Sequence, residues 1–373
     1  MQSHLRQVRN STDFPRWCDD VMTSTSPVRF VRRSVLKAAV LGSRSATSGW
    51  RADSADGADG DGLEPDQPGI GLRYTVLGKI LDVSPHILVL ETDAGEQRFP
   101  LAPTAVAWRG GPVAPAALRH GDHAIVRRLA PDSPVVERIW AEAGRVTGTI
   151  IERDGPATLL VDEGPAKGRR IVIIAAGASG RIQVRFPRLE PGYLIDVIGL
   201  RHDGFLQALI PATAQPPYHA GHPPTPPLVG GHVPDPISGT AVWHEPGEEP
   251  AGLLGLAYPA LDPETSCERV APTPATCSGD LHAVDPHATG PGCVRLPYLS
   301  VGSMLRLRND CAGRGRLLPV TGCGATARLF CDRCVSCGTS RKGRIADLTM
   351  AAFVELGGDL EAGCFNAAMT IGG

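Results

Sequence analysis

The chain has 373 residues, 42% of them hydrophobic, which is enough for two or three domains with cores of their own and excludes a wholly disordered protein. With 44 glycines and 34 prolines, about a fifth of the chain, the composition points to turn-rich β architecture and extended linkers rather than a helical bundle. A formal net charge of -2 provides no global field for nucleic acid or an anionic membrane, and no apolar run reaches the length of a membrane span.

Residues 1–45 read as an N-terminal extension. Within VRFVRRSVLKAAVLG (28–42), Arg32-Arg33 precede Ser34, Val35, Leu36 and Lys37, and a short apolar stretch follows. This resembles a bacterial twin-arginine signal, whose cationic end stays at the inner membrane face while the apolar segment enters the translocase. Met22 is the more natural start of such a signal. The resemblance implies a secreted or cell-wall-associated protein with no transmembrane helix in its mature chain. Residues 46–71 follow as an acidic linker, a solvated spacer holding Asp53, Asp56, Asp59, Asp61, Glu64 and Asp66.

Alternation and β-branched enrichment predict strands over 74–83, 87–91, 123–127, 146–151, 158–161 and 171–174. This region reads as duplicated, with one small β-barrel over 72–142 and a second over 143–214. Leu77-Gly78-Lys79-Ile80 is echoed by Thr147-Gly148-Thr149-Ile150, and Gly121-Asp122-His123 by Gly192-Tyr193-Leu194, at offsets of 70 and 71 residues. The rhythm of glycine, strand and glycine resembles that of oligonucleotide/oligosaccharide-binding (OB-like) barrels. No catalytic cluster stands out in either copy. Residues 215–252 form a Pro/His-rich linker, whose His219, His222 and His232 lack the spacing and neighbouring thiols of a metal site.

The segment 253–373 is Cys-rich. It is predicted to hold strands over 304–308, 317–321, 327–330 and 365–371, with Asp347 opening a helix that recurs apolar at Leu348, Ala352, Phe353 and Leu356 and stops at Gly357-Gly358. Asp is a favoured N-cap, and a carboxylate in that role has a lowered pKa. Nine of the ten cysteines lie here: Cys267, Cys277, Cys293, Cys311, Cys323, Cys331, Cys334, Cys337 and Cys364. In an oxidising compartment they are disulfide candidates. In the cytosol, C-x-x-C-x-x-C at 331–337 would instead suggest zinc or an iron–sulfur cluster, closed by Cys311, Cys323 or Cys364.

LSVGSMLRLRN (299–309), LFCDRCVSC (329–337) and GRIADLTMAAFVELGG (343–358) occur in an order and spacing that resemble the double-psi β-barrel of the rare lipoprotein A-like and expansin/barwin group. The resemblance covers roughly residues 255–373. It implies a six-stranded, disulfide-stapled barrel contacting glycan strands, with the family's groove aspartates at Asp332 and Asp347, and it implies that the cysteines are disulfide-bonded rather than metal-bound. Arg333 and Arg344 beside them extend the candidate ligand-binding set.

The expected fold is thus mainly β, with two OB-like small barrels followed by a disulfide-rich double-psi barrel carrying one short helix. The expected function is binding or remodelling of peptidoglycan or a related glycan, with no cofactor, no resident metal and no nucleic acid partner. A lytic transglycosylase using Asp347, helped by Asp332, is the second reading, although the histidine that such enzymes carry before the L-x-x-G turn is replaced here by Leu296. A cytosolic zinc-binding scaffold is the third.

Overall fold

The computed structural model describes residues 71–164, 167–213, 219, 236–246, 250–258, 299, 302–323 and 343–371. The twin-arginine segment, most of both linkers, the strand expected over 327–330, Asp332, Arg333, Cys267, Cys277, Cys293, Cys331, Cys334 and Cys337 lie outside these residues, as does the side chain of Cys323. What is described is mainly β, arranged as three closed or nearly closed rings of strands. Among the described residues no helix is long and apolar enough to cross a membrane.

The first ring contains β1 (Thr75–Val83), β2 (Ile87–Thr92), β3 (Gly95–Trp108), β5 (His123–Arg128) and β6 (Val136–Ala141), with the short β4 (Pro112–Val113) added outside β3. The second contains β7 (Ala143–Asp154), β8 (Thr158–Asp162), β9 (Arg169–Ile174), β10 (Leu194–His202) and β11 (Phe205–Pro211), with helix α1 (Ser179–Arg185) between β9 and β10. Both rings run in the same order. The first strand pairs with the second and fourth of its ring, the second with the third, and the third lies parallel to the fifth, β3 with β6 and β9 with β11.

The echoed residues occupy equivalent places in this order. Ile80 donates to Asp122 O and accepts from Gly121 N, while Ile150 donates to Tyr193 O and accepts from Gly192 N, all at 2.7–2.9 Å. A register shift follows each isoleucine, between Ile80 and Asp82 and between Ile150 and Glu152. Gly121 and Gly192 both adopt φ +89°, a conformation that disfavours any side chain at the turn into the fourth strand. The junction between the rings is the single residue Glu142, itself at φ +49°. Its amide donates to His123 O, and its carbonyl accepts from Arg201 N.

The third ring contains β12 (Ile237–His244), β13 (Leu256–Tyr258), β14 (Met304–Asn309), β15 (Gly315–Cys323), β16 (Arg344–Thr349) and β17 (Cys364–Ile371), closed in the order β12-β16-β13-β15-β14-β17. Period-two patterning is clearest in β14, where Leu305, Leu307 and Asn309 are buried and Met304, Arg306 and Arg308 are exposed. Helix α2 (Met350–Glu355) begins three residues later than the sequence suggests. Its N-cap is Thr349, whose hydroxyl accepts from Ala352 N, because Asp347 is still paired within β16. It ends where expected, with Gly357 at φ +83° and the amides of Gly357 and Gly358 returning to Val354 O and Phe353 O. Helix α1 was not foreseen, since its only buried residue is Ile182 and one apolar position sets no period.

The three rings share a core, in which Trp108, Trp140, Ile198 and Ala212 of the small rings pack with Trp243, Phe353 and Leu360 of the third. Buried charges lock the same seams. Asp196 of β10 bonds Arg145 through both oxygens (2.8 and 2.7 Å), Arg344 (2.8 Å), Thr147 (2.9 Å) and Thr213 (3.0 Å), with Arg145, Asp196 and Arg344 at most 1% exposed in their side chains. Arg145 also donates to Gly363 O at 2.7 Å. On the other side, Glu355 of α2 accepts from the amides of Arg73, Tyr74 and Thr75 at 2.8–3.1 Å and pairs with Arg316. Glu361 receives Arg138 and the Trp140 indole.

Burial alone would raise the pKa of Asp196, but Arg145 and Arg344 outweigh it and hold the carboxyl below the usual carboxylate range. Replacing Asp196 by Asn strands two buried guanidinium groups, so Asp196→Asn is expected to lose about 3–5 kcal/mol in urea denaturation. A loss below about 1 kcal/mol would show that the seam does not depend on this charge.

Candidate functional site

Of the four acidic and basic residues singled out from the sequence, Asp347 and Arg344 are described, and β16 sends them to different surroundings. Arg344 is fully buried, with its guanidinium on Asp196. It therefore anchors one barrel to another and is not presented to an external ligand, contrary to expectation. Asp347 has a different neighbourhood. β12 runs parallel to β16 with Val242 opposite Asp347 and Trp243 opposite Leu348. Ala241, Trp243, Ala346 and Leu348 belong to the core cluster, so Val242, His244 and Asp347 occupy the opposite face of the sheet.

On that outer face, His244 Nδ1 lies 3.2 Å from Asp347 Oδ1, with side-chain exposures of 7% and 10%. Burial pushes the Asp347 pKa up, and the His244 imidazole, by charge and by hydrogen bond, with Arg344 and Lys167 behind it, brings it well below the usual carboxylate range. Asp347 is therefore a fixed anion near neutral pH. It can orient an imidazole or face a developing positive charge, but it is poorly suited to the proton donation expected of it.

Two further carboxyls that the sequence did not announce make contacts with the second ring. Glu245, next to His244, accepts from Arg145 N at 2.9 Å and pairs with Arg170 of β9. Glu163, on the turn between β8 and β9, accepts from Thr147 N at 3.3 Å. Burial raises the Glu163 pKa, Lys167 and Arg170 oppose that rise, Glu245 adds to it, and the Thr147 amide opposes it; the net direction is upward. Two carboxyls, Glu163 and Asp347, are thus pushed in opposite directions, and the Lys167 charge acts on both. No sequence signal marks His244, which closes a strand of mixed small, polar and apolar residues, or Glu163, which sits in an ordinary polar turn.

Of the sulfurs, Cys364 is buried, beside Val242. Among the described residues no group of three or more His, Cys, Asp or Glu side chains is arranged to hold a metal ion. No protein-family model matches the chain, and no curated protein matches it.

Because Asp347 has a depressed pKa in the folded state, its contribution to stability is present above the ordinary carboxylate range and fades as the pH falls through the depressed value. Removing the imidazole should undo much of that depression. His244→Gln is expected to raise the Asp347 pKa, followed by NMR titration of the carboxyl carbon, and an unchanged value would show that His244 does not hold the charge.

Proposed function

We propose that this is an exported bacterial cell-wall protein whose C-terminal barrel, of the double-psi type, binds peptidoglycan or a related glycan. The observation carrying this reading is the His244–Asp347 pair, set on the non-core face of a closed six-stranded barrel and largely covered, at the position of the D-L-T motif that resembles the groove aspartate of glycan-contacting families. The two parallel pairs in this barrel, β12 with β16 and β13 with β15, join strands that are not consecutive in the chain, which supports an interlocked double-psi topology. The common strand order of the small rings, with the third strand parallel to the fifth, supports an OB-like reading for both.

Binding is favoured over cleavage by Asp347 as general acid, since a carboxyl held in its ionised form cannot protonate a glycosidic oxygen. Export through Arg32-Arg33 and a disulfide at Cys311 belong to the same reading, because disulfides persist in oxidising compartments.

Two measurements test this. Purified protein should co-sediment with isolated sacculi, and failure to do so would remove the glycan reading. In a bacterial host with a twin-arginine translocase, replacing Arg32 and Arg33 together by lysine should retain the chain inside the cell; unchanged export would remove the signal.

A further inference from the structure

The duplicated rings diverge at the turn into their fourth strands. Gly121 and Gly192 share φ +89° there, but the residue after each has a different task. In the first ring Asp122 closes its own turn, since its carboxylate accepts from Arg119 N at 3.1 Å and pairs with Arg109 at 2.8 Å. The second ring has Tyr193 in that place, and its aromatic ring is flanked by Arg188 and by His219.

His219 belongs to the Pro/His-rich linker. Its backbone bridges that of Tyr193 in the antiparallel sense, and its imidazole stands edge-on to the Tyr193 ring, with centroids 5.6 Å apart at 77°. A Cβ at residue 192 would overlap this imidazole, so the ring lies against the bare Cα of Gly192. The turn itself makes no such demand. At Gly121 a Cβ would meet only Lys79 Cε, at 3.8 Å. Gly192 therefore answers to two constraints, positive φ and the imidazole, where Gly121 answers to one.

The receiving side is fixed from behind. Gly192 N donates to Ile150 O and Ile150 N to Tyr193 O, Phe186 and Leu189 lie in the core of the ring, and Arg153 holds Leu189 O at 3.3 Å. The Arg188 guanidinium lies 5.6 Å from the centre of the Tyr193 ring. β11 pairs with β10 only over 197–202, so that strand does not take the backbone at Tyr193. His219, by contrast, is exposed, and a competing chain can reach the place it fills.

We propose that Gly192, Tyr193 and Arg188 form a seat for an extended peptide carrying a histidine, and that the protein's own linker occupies it through His219. This goes beyond the glycan reading and does not depend on it. The chemistry is that of strand addition, in which backbone bridging supplies the hold and a side-chain seat supplies the choice of residue. A flat imidazole suits a glycine Cα on one side and a tyrosine ring met edge-on, an arrangement that ring quadrupoles favour. The linker is then an internal competitor for any partner of the same chemistry. Tethering gives it an effective concentration on the order of millimolar, so a free peptide competes in that range.

The test uses the full chain. Chymotrypsin cuts after tyrosine, and the bond between Tyr218 and His219 lies at the seat, so the rate of its cleavage reports how often the linker leaves. The wild type should be cut slowly, and Gly192→Ala and Tyr193→Ala about 10-fold or more faster. Gly121→Ala imposes the same backbone strain away from the seat and should be cut like the wild type. A synthetic peptide with the sequence of residues 214–221, alanine replacing its tyrosine so that it is not itself cut, should speed cleavage of the wild type several-fold at millimolar concentration. The same peptide with alanine replacing its histidine as well should not. Wild type cut as fast as Gly192→Ala, or Gly121→Ala matching Gly192→Ala, overturns the occupied seat. A rate unchanged by the histidine peptide, or changed equally by both peptides, overturns recognition of a partner.

Discussion

The structure hangs on one buried carboxylate. Asp196 has no contact with water, and it is tolerable only because guanidinium groups from two barrels and two hydroxyls converge on it. Such a cluster is costly to bury and weak as a net source of stability, but removing any member leaves an uncompensated charge. Its effect is to fix geometry. Arg344 lies three residues before Asp347 on the same strand, so holding Arg344 against β10 also fixes where β16 presents Asp347 and where β12 brings His244 to meet it.

The two small rings show how duplication leaves room for divergence. The backbone exchange at Ile80 and Ile150, the following register shift and the positive-φ glycine are common to both, because closing a ring of this order demands them. What differs lies outside those constraints. The first ring adds β4, gives the amides at its entrance to Glu355 and gives the Arg138 and Trp140 side chains to Glu361. The second adds α1 and has on β7 an edge that is capped by carboxylates instead of a strand. Polar chemistry has accumulated where the ladder stops, since unsatisfied amides there call for anionic partners.

Strands of alternating pattern were legible in the sequence, because period two survives wherever one face is buried, as in β14. The end of α2 was legible from Gly357-Gly358, whereas its start was not. Asp347 and Thr349 are both good N-caps on paper, and only pairing with β12 shows that the strand runs through Asp347. The repeat offsets exposed the shared turns of the small rings but not how the rings dock, as docking depends on single charges such as Arg145, Asp196 and Glu361 that carry no local pattern. Arg344 looked like a surface cation beside a groove and is instead at the centre of the molecule. His244 was invisible for the same reason: it matters through a partner 103 residues away in the chain.

Glu355 draws that distance to its extreme, accepting the amide of Arg73 across 282 residues. During synthesis, therefore, the entrance to β1 has no acceptor until the ribosome has delivered almost everything in between. Contacts of such long range must wait for loop-closure entropy to be overcome, so the first ring emerges early and consolidates late. The acceptor that closes the entrance to the first ring therefore lies on one of the last elements to be made, with only the turn at 360–362 and β17 following it among the described residues.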